Sequence, residues 1–551
     1  MKGKCFSHIE KHFYMRRFRR MTMDILFAEG SKKEFLELPK ETVKDLALEE
    51  ITSWMSVMVE ERTVLTTIMS RVLADPEDMR YRQEIFRDLI GNPELREGLY
   101  EAVSMIRSMK EFSGANRATN LKDNALYTIL QELRSISLYS DTVRFLSGLL
   151  GKYEIRSRGL LALKKEMDDV IATEKFSELN EDVKKMMEDL TTVRSAIIGV
   201  NFTPDLDIEN VAAVEFMPVP TRSKYSFVNV ASSIGILTKA GQGAQAIGMS
   251  HVNNVSSKYK DPLLVAMMPM IEKHMKRHFA SVRKVIAQYR DLDMKGITDL
   301  YEGMVFYTCC SRYAEKLQER GYGVSTPEIV KSEDKKWEVK GFYNIRLAML
   351  REKNVVKNDF SFSEEERIFI LTGPNRGGKT ILEQGLGLVS LMASVGLFVT
   401  AESCRGIPFR NILTHFPIDE NLTINYGRLG EEAKRVREIV TQTDADTLVL
   451  FNETYSTTSS SDALYLSEDL LHILKDKGAA VIFNTHIHEL AKEIPEMNKW
   501  EGKGKIISVI MEIKDNVNTF RVKRAEPDYC SYARNIALKY GVTYEQMKEP
   551  T

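Results

Sequence analysis

The run Gly373-Pro-Asn-Arg-Gly-Gly-Lys379-Thr380 carries the G-x-x-x-x-G-K-[ST] spacing of a P-loop. It follows an apolar run (Ile368, Phe369, Ile370, Leu371) and precedes a helix-capable segment. That strand–loop–helix order commits this part of the chain to an α/β sheet. The chemistry is direct. Glycines let backbone N–H groups turn inward around a phosphate chain, a lysine reaches the β- and γ-phosphates, and a threonine hydroxyl can ligate Mg²⁺. The candidate nucleotide-binding residues are therefore Gly373, Pro374, Asn375, Arg376, Gly377, Gly378, Lys379 and Thr380.

Two further runs read as buried parallel strands. Thr447-Leu-Val-Leu-Phe451 ends in Asn452-Glu453, and Ala479-Ala-Val-Ile-Phe483 ends in Asn484-Thr485-His486. Polar residues at the carboxyl ends of parallel strands face the ligand crevice. In P-loop proteins a Mg²⁺-associated carboxylate and a water-polarising carboxylate sit after such a strand. Glu453 and His486 are the candidate catalytic residues; Thr380 and Asn452 are the candidate metal ligands.

These residues carry a family resemblance. Thr372-Gly-Pro-Asn-Arg-Gly-Gly-Lys-Thr380 is similar to the T-G-P-N-M-G-G-K-S of the MutS family, whose ATPase is of the ABC type. Leu448 to Asp462 resembles its L-V-L-x-D-E-x-x-x-G-T-S-T-x-D, and Phe483 to Leu490 resembles F-A-T-H-Y-H-E-L. Val356-Lys-Asn358-Asp359 resembles the I-P-N-D ahead of the P-loop, which adds Asn358 to the binding residues. Ser531-Tyr532-Ala-Arg-Asn-Ile-Ala537 is similar to S-Y-G-x-x-x-A. The match is specific across about 340–545. It implies ATP and Mg²⁺ as cofactors, ATP hydrolysis, expected to be slow because Asn452 stands where the family has Asp, and a homodimer formed through the ATPase domains.

Four departures stand out. Asn452 replaces the family's Asp; an amide oxygen can orient a metal-bound water but adds no negative charge. The signature S-x-F-x-x-E-M appears as Gly427-Arg-Leu-Gly-Glu-Glu432-Ala, without the hydroxyl presented across the dimer. Arg428, or the Gly427 N–H, is left to meet the γ-phosphate. Arg376 replaces a Met inside the P-loop. The aromatic residue that stacks on adenine in the family falls at Val355, which leaves base recognition either weaker or to another ring.

The 551 residues exceed what one core supports, so several domains are expected. A formal net charge of −1 gives no global basic field, so nucleic-acid contact must come from local patches. Cys5, Cys309, Cys310, Cys404 and Cys530 show no metal spacing and suit a reducing cytoplasm. The basic first 30 residues lack the apolar core of a secretory signal. Gln384 to Ala401 carries no charge, yet its glycines and serines fit a buried helix running into a strand better than a membrane span.

The expected fold is multidomain. A basic segment covers 1–39, and a mostly α-helical core and lever region covers 40–335. Within it a small clamp-like insert occupies about 197–260, and an α/β P-loop ATPase of the ABC type covers 336–551. Residues 124–195 read as long helices. Ile271, Met275, Phe279, Val282, Ile286 and Tyr289 mark one face of another. Pro262 suits its first turn, and Pro269 is placed to bend it. Ile197 to Pro204 and Asn210 to Val219 read as strands. The stretch from Gly321 to Lys335 reads as a linker. Lys273, His274, Lys276, Arg277 and His278 form a cationic cluster, which is either a nucleic-acid contact or a solvated helix face. Ala74 to Gln83 and Asn92 to Arg96 resemble the start of the family's core domain. The family's mismatch-recognition and connector domains, and any appended nuclease domain, are therefore expected to be absent. Phe27-Ala-Glu29 has the F-x-E letters of the mismatch wedge by chance.

The leading functional reading is a dimeric ATP-driven clamp on nucleic acid, with branched or otherwise structured DNA placed ahead of RNA and no membrane partner. Structured or ribosomal RNA stays open as a client. A second reading, from Asn452 and Gly427, is a nucleotide-binding scaffold or regulator with negligible turnover. An SMC-like clamp would need far longer heptad arms.

Overall fold

The computed structural model describes residues 24–118, 125–190, 195–205, 208–217, 276–289, 292, 294–330, 336–351, 355–374, 376–417, 428–456, 458–514, 517–526 and 540–548. The chain divides into two compact units. The first holds Glu101–Lys152 and Leu163–Tyr301; the second holds Asp24–Tyr100, Tyr153–Ala162 and Glu302–Thr551.

The first unit is built on helices. Ala125–Lys152, Glu174–Leu190 and Lys276–Gln288 pack on one another. Their contact faces follow the helical period: Tyr139, Val143, Leu146 and Leu150 from one helix, Phe176, Leu179 and Val183 from the next, and Val282 and Ile286 from the third are all buried. Tyr289 donates to Asp182 Oδ2 at 2.7 Å across the bundle. Ser195–Phe202 and Ile208–Met217 then pair as an antiparallel ribbon, as their strand-like composition predicts. The rest of the 197–260 insert, with Lys273 and His274, lies outside the described residues. Lys276 and Arg277 open the third helix.

The second unit has a six-stranded sheet. Its order is Asn411–His415, Thr447–Asn452, Ala480–Asn484, Glu366–Thr372, Lys505–Lys514, Val517–Arg524. The first five are parallel, and the last returns antiparallel as a hairpin. All six residues of the Thr447–Asn452 strand are buried, which is why it reads as a continuous apolar run. One sheet face packs Val449, Phe451, Val481 and Phe483 against Leu470, Leu471 and Leu474 of helix Ser460–Lys477. The other face receives helix Lys379–Ser394. A Cβ at Gly387 would stand 2.6 Å from Leu450 Cδ1, so glycine is what lets this helix approach so closely. From Lys379 to Ser394 only Thr380 and Ile381 escape full burial, which explains the uncharged stretch that follows.

A smaller four-stranded sheet joins Glu328–Ile329, Ser403–Gly406, Trp337–Phe342 and Asn358–Phe362. The Phe360 ring meets Phe369 of the large sheet at 4.7 Å, which locks the two sheets together. The 321–335 stretch, expected to be a linker, is partly structural. Tyr322 and Ile329 are buried, and Glu328–Ile329 pairs in parallel with Arg405–Gly406. Apolar anchors among its glycines and serines pull it onto the sheet edge. Among the described residues no helix is long and apolar enough to cross a membrane.

Candidate nucleotide site

Strand register sets the site. Asn452 pairs with Asn484, and Asn484 pairs with Leu371, so the three strands end in one row. Thr372 leads into Gly373, Asn452 into Glu453, and Asn484 into Thr485 and His486. Every candidate residue at these ends therefore projects from the carboxyl edge of a parallel sheet.

The loop between strand and helix is conformationally specialised. Gly373 has φ +143° and Gly378 +90°, and Arg376 lies at +63°. A Cβ at Gly377 would come within 2.8 Å of Pro374 O, the carbonyl to which Gly377 N donates at 3.0 Å. Helix Lys379–Ser394 starts at the loop's end, so its unpaired N–H groups and positive dipole end point into the cavity. Lys379 is buried, and its Nζ folds back to Gly373 O at 3.0 Å and Pro374 O at 3.3 Å. Burial holds its ammonium below the usual lysine range, and nearby Glu453 and Glu383 oppose that. The site is thus a charged group held with too few counter-charges, which an anionic ligand would correct.

Across the cavity, Glu453 sits at φ +55° with Tyr455 at +64°. Such φ values are strained for residues with side chains, and strain of this kind clusters at functional loops. Glu453 N donates to Asn484 O at 2.9 Å, which pins the strained residue to the neighbouring strand. His486 Nε2 lies 2.6 Å from Glu453 Oε1. That contact, then Lys379 from further off, holds the Glu453 carboxyl below the ordinary range, so it is ionised near neutrality. An ionised carboxylate with an imidazole at its side is a competent water-orienting pair.

Thr380 Oγ1 and Asn452 Oδ1 are 3.3 Å apart. Together they form a small oxygen surface of the hard kind Mg²⁺ accepts, although no group of three acidic, His or Cys residues fit for a metal occurs among the described residues. Mg²⁺ tolerates that, because it keeps waters and takes further oxygens from a nucleotide's phosphates.

The cavity beside these groups has a volume of 430 Å³ and is lined by the P-loop, Asn358, Glu453, Val355, Val356 and Phe520, among others. Asn358 borders it but has its side chain committed elsewhere. Its Nδ2 donates to Phe520 O at 3.1 Å and its Oδ1 accepts from Val522 N at 2.7 Å. It fixes the hairpin strand Val517–Arg524 beside the loop. Asn375, Gly427, Ser531 and Tyr532 lie outside the described residues.

Two residues here escape sequence reasoning. Phe520, at φ +58°, brings a ring into the pocket wall where Val355 offers none. Nothing local in its strand marks it. Glu383 is fully buried one turn beyond Lys379, and burial raises its carboxyl well above the ordinary range. Its signal was legible: it is the one acid in helix Lys379–Ser394, directly before the uncharged stretch that begins at Gln384.

The model for MutS domain V matches residues 369–542, and that for the MutS2 N-terminal domain matches 74–320. The chain belongs to the MutS family. Endonuclease MutS2 of Thermus thermophilus is 33% identical over 137 residues, 25% of this chain and 18% of that protein. DNA mismatch repair protein MutS of Lactobacillus delbrueckii subsp. bulgaricus is 31% identical over 153 residues, 28% of this chain and 18% of that protein. DNA mismatch repair protein MutS of a Thermotoga species is 28% identical over 282 residues, 51% of this chain and 34% of that protein. The alignments to these MutS and MutS2 relatives thus span between 18% and 34% of their lengths. The domain V match begins inside the strand that leads into the P-loop and contains the P-loop and the Asn452–Glu453 and His486 strand ends.

Proposed function

We propose that this MutS-family chain is an ATPase that uses nucleotide binding to switch a homodimeric clamp on nucleic acid, with branched or structured DNA as the preferred client. The observation that carries the reading is the Glu453–His486 pair at 2.6 Å, facing a P-loop whose Lys379 is buried and short of counter-charge. In this reading Gly373 to Thr380 cradle the phosphates and Lys379 neutralises them. Glu453 orients the attacking water, and His486 fixes Glu453. Phe520 and Val355 border the base. Thr380 and Asn452 would hold the Mg²⁺, which when bound offsets charge on the transferred phosphoryl group.

The first unit gives the reading its arms: three packed helices next to an antiparallel ribbon in the chain. Ser195–Phe202 and Ile208–Met217 would form part of a clamp tip, and closure would follow from ATP binding the closed dimer more tightly than the open one. A mismatch preference is not expected.

The second reading, a nucleotide-binding scaffold with negligible turnover, is favoured by one observation. Asn452, a neutral amide, occupies the place beside Thr380 where a carboxylate would strengthen the metal site. One experiment addresses both. The Glu453→Gln protein is loaded with ATP and Mg²⁺, sized by light scattering, and recovered from cells for sequencing of bound nucleic acid. A dimer carrying DNA supports the clamp. A monomer with no nucleic acid, and no phosphate release from the wild type, leaves the scaffold.

A further inference from the structure

Glu383 is a buried acid with few hydrogen-bond partners among the described residues of the second unit. Its side chain is fully buried, and among the described residues its Oε1 has no hydrogen-bond partner and its Oε2 accepts only from Asn484 Nδ2 at 3.3 Å. A buried carboxyl with one long hydrogen bond costs stability rather than adding it. A valine or leucine would fill an apolar helix face at lower cost. The position therefore calls for a reason beyond packing.

Its single partner supplies one. Asn484 is also buried, at the end of the central strand Ala480–Asn484, and its Oδ1 has no partner among the described residues. The same Nδ2 that meets Glu383 donates to Asn452 Oδ1 at 2.6 Å. Asn452 Oδ1 in turn accepts from Thr380 Oγ1 at 3.3 Å. The four side chains form one line from the interior of the helix to the edge of the nucleotide cavity: Glu383, Asn484, Asn452, Thr380.

An amide has two unlike ends, and an asparagine in the place of a metal-side carboxylate has an ambiguity a carboxylate lacks. With Oδ1 toward Thr380 it presents an acceptor that can hold a cation or its water. With Nδ2 there it presents donors that repel one. Asn484 decides which end of Asn452 faces Thr380 only if Asn484 is itself oriented. A carboxyl oxygen behind Asn484 does that, because it draws the Nδ2 end toward it and leaves that same group against Asn452.

We propose that Glu383 is a positioning residue of the nucleotide site: through Asn484 it turns the Asn452 carbonyl oxygen toward Thr380 and the metal side of the pocket. Orientation thereby replaces part of what charge at 452 would supply. The inference rests on the reading of this cavity as a Mg²⁺–nucleotide site.

The test is binding of a fluorescent ATP analogue titrated with MgCl₂, alongside the same titration in EDTA. Glu383→Leu removes the acceptor, and the half-saturating Mg²⁺ concentration is expected to rise about 5- to 10-fold, the scale of one net hydrogen bond, with binding in EDTA unchanged. Asn484→Ala breaks the line from the other end without adding volume, and the same shift is expected should Glu383→Leu fail to fold. Glu383→Gln keeps an acceptor oxygen and is expected to stay within about 2-fold of the wild type. In an Asn452→Asp background either breaking substitution is expected to shift the Mg²⁺ requirement by less than about 2-fold, because a carboxylate needs no orienting. Unchanged Mg²⁺ dependence in folded Glu383→Leu and Asn484→Ala overturns the positioning role alone. So does a shift that persists undiminished beside Asp. Wild-type binding that ignores Mg²⁺ altogether overturns the reading of the pocket and the positioning role with it.

Discussion

Glu432 Oε1 accepts a hydrogen bond from Tyr455 N at 2.7 Å. Glu432 belongs to helix Arg428–Gln442, which continues the signature segment, and Tyr455 lies two residues past Glu453 at φ +64°. The helix therefore holds the strained backbone on which Glu453 sits. Further along the same helix, Arg435 Nη2 bonds Asp45 Oδ2 at 2.6 Å, which ties it to helix Lys40–Asp45. Helix Arg428–Gln442 is thus joined at one point to the loop that carries Glu453 and at another to helix Lys40–Asp45.

That relationship yields a prediction. Glu432→Ala removes a charge-assisted hydrogen bond from a strained loop, a loss of about 1–3 kcal/mol where the donor is left unpaired. ATP turnover is expected to fall about 10-fold or more, while affinity for ATP stays within about 2-fold, because the P-loop is untouched. Stopped-flow phosphate release and calorimetry separate the two quantities. Equal losses in both would mean that Glu432 supports the whole site rather than the Glu453 loop.

Lys379→Ala is expected to abolish nucleotide binding with the melting temperature of the free protein unchanged or raised. The buried ammonium is held below its usual range by desolvation, so the free protein spends energy to keep it there. Ordinary ATP affinity by calorimetry in this variant would remove the P-loop from the account.

Asn452→Asp is expected to lower the Mg²⁺ concentration needed for turnover and to raise turnover several-fold. The added charge falls 3.3 Å from the Thr380 hydroxyl, on the metal side of the cavity. The measurement is steady-state ATPase rate against MgCl₂. A lower rate at saturating Mg²⁺ would show that the neutral amide is set for a task other than hydrolysis.

The large sheet was legible because each of its central strands is buried on both faces and must be apolar throughout. Thr447–Phe451 and Ala479–Phe483 could hardly be anything else once the P-loop fixed the class. The candidate residues at the strand ends were legible for the same reason, since polar Asn452, Glu453 and His486 begin abruptly where the apolar runs stop. Phe520 was not, because its place in the pocket depends on a hairpin pinned by Asn358 through two hydrogen bonds that no local pattern announces. The 321–335 stretch misled for a compositional reason. Gly321, Gly323, Ser325 and Pro327 are turn residues, and the burial of Tyr322 and Ile329 is a tertiary fact. Glu383 was visible as an isolated acid, but its meaning lies in Asn484, which is remote in sequence and adjacent only through sheet packing.

His415 gives the fold an acid limit. Its ring is buried at the end of strand Asn411–His415, with Nδ1 2.8 Å from Thr454 Oγ1. Burial, then the charge of Arg435, pushes its pKa down from 6.5 to about 3. An imidazole whose folded value is depressed resists protonation while the unfolded chain takes the proton. Stability is thus fully present above about 6.5 and is lost as pH falls from there toward 3. At about pH 5 the loss amounts to about 2 kcal/mol. Denaturant midpoints at neutral and acid pH are expected to diverge less in His415→Gln than in the wild type. Equal divergence would assign the acid lability to other groups.

The client is the furthest step from the nucleotide site and is testable by charge alone. The net charge of −1 leaves no general attraction for nucleic acid, so any affinity must come from a few local phosphate contacts and should fall with salt at a shallow slope. Lys276 and Arg277 open helix Lys276–Gln288, and Lys273 stands three positions before Lys276 in the sequence; they follow the insert in which the Ser195–Phe202 strand lies. Replacing Lys273, Lys276 and Arg277 with Glu is expected to weaken binding to a branched DNA about 10-fold or more and to flatten the salt slope, with ATP affinity unchanged. Fluorescence anisotropy across a salt series, on branched, matched and mismatched duplexes, reads all of this at once. No preference for the mismatched duplex is expected. If the triple variant binds as the wild type does, the cluster is a solvated helix face and the contact lies elsewhere. If the wild type binds no DNA or RNA even at low salt, the scaffold reading replaces the clamp.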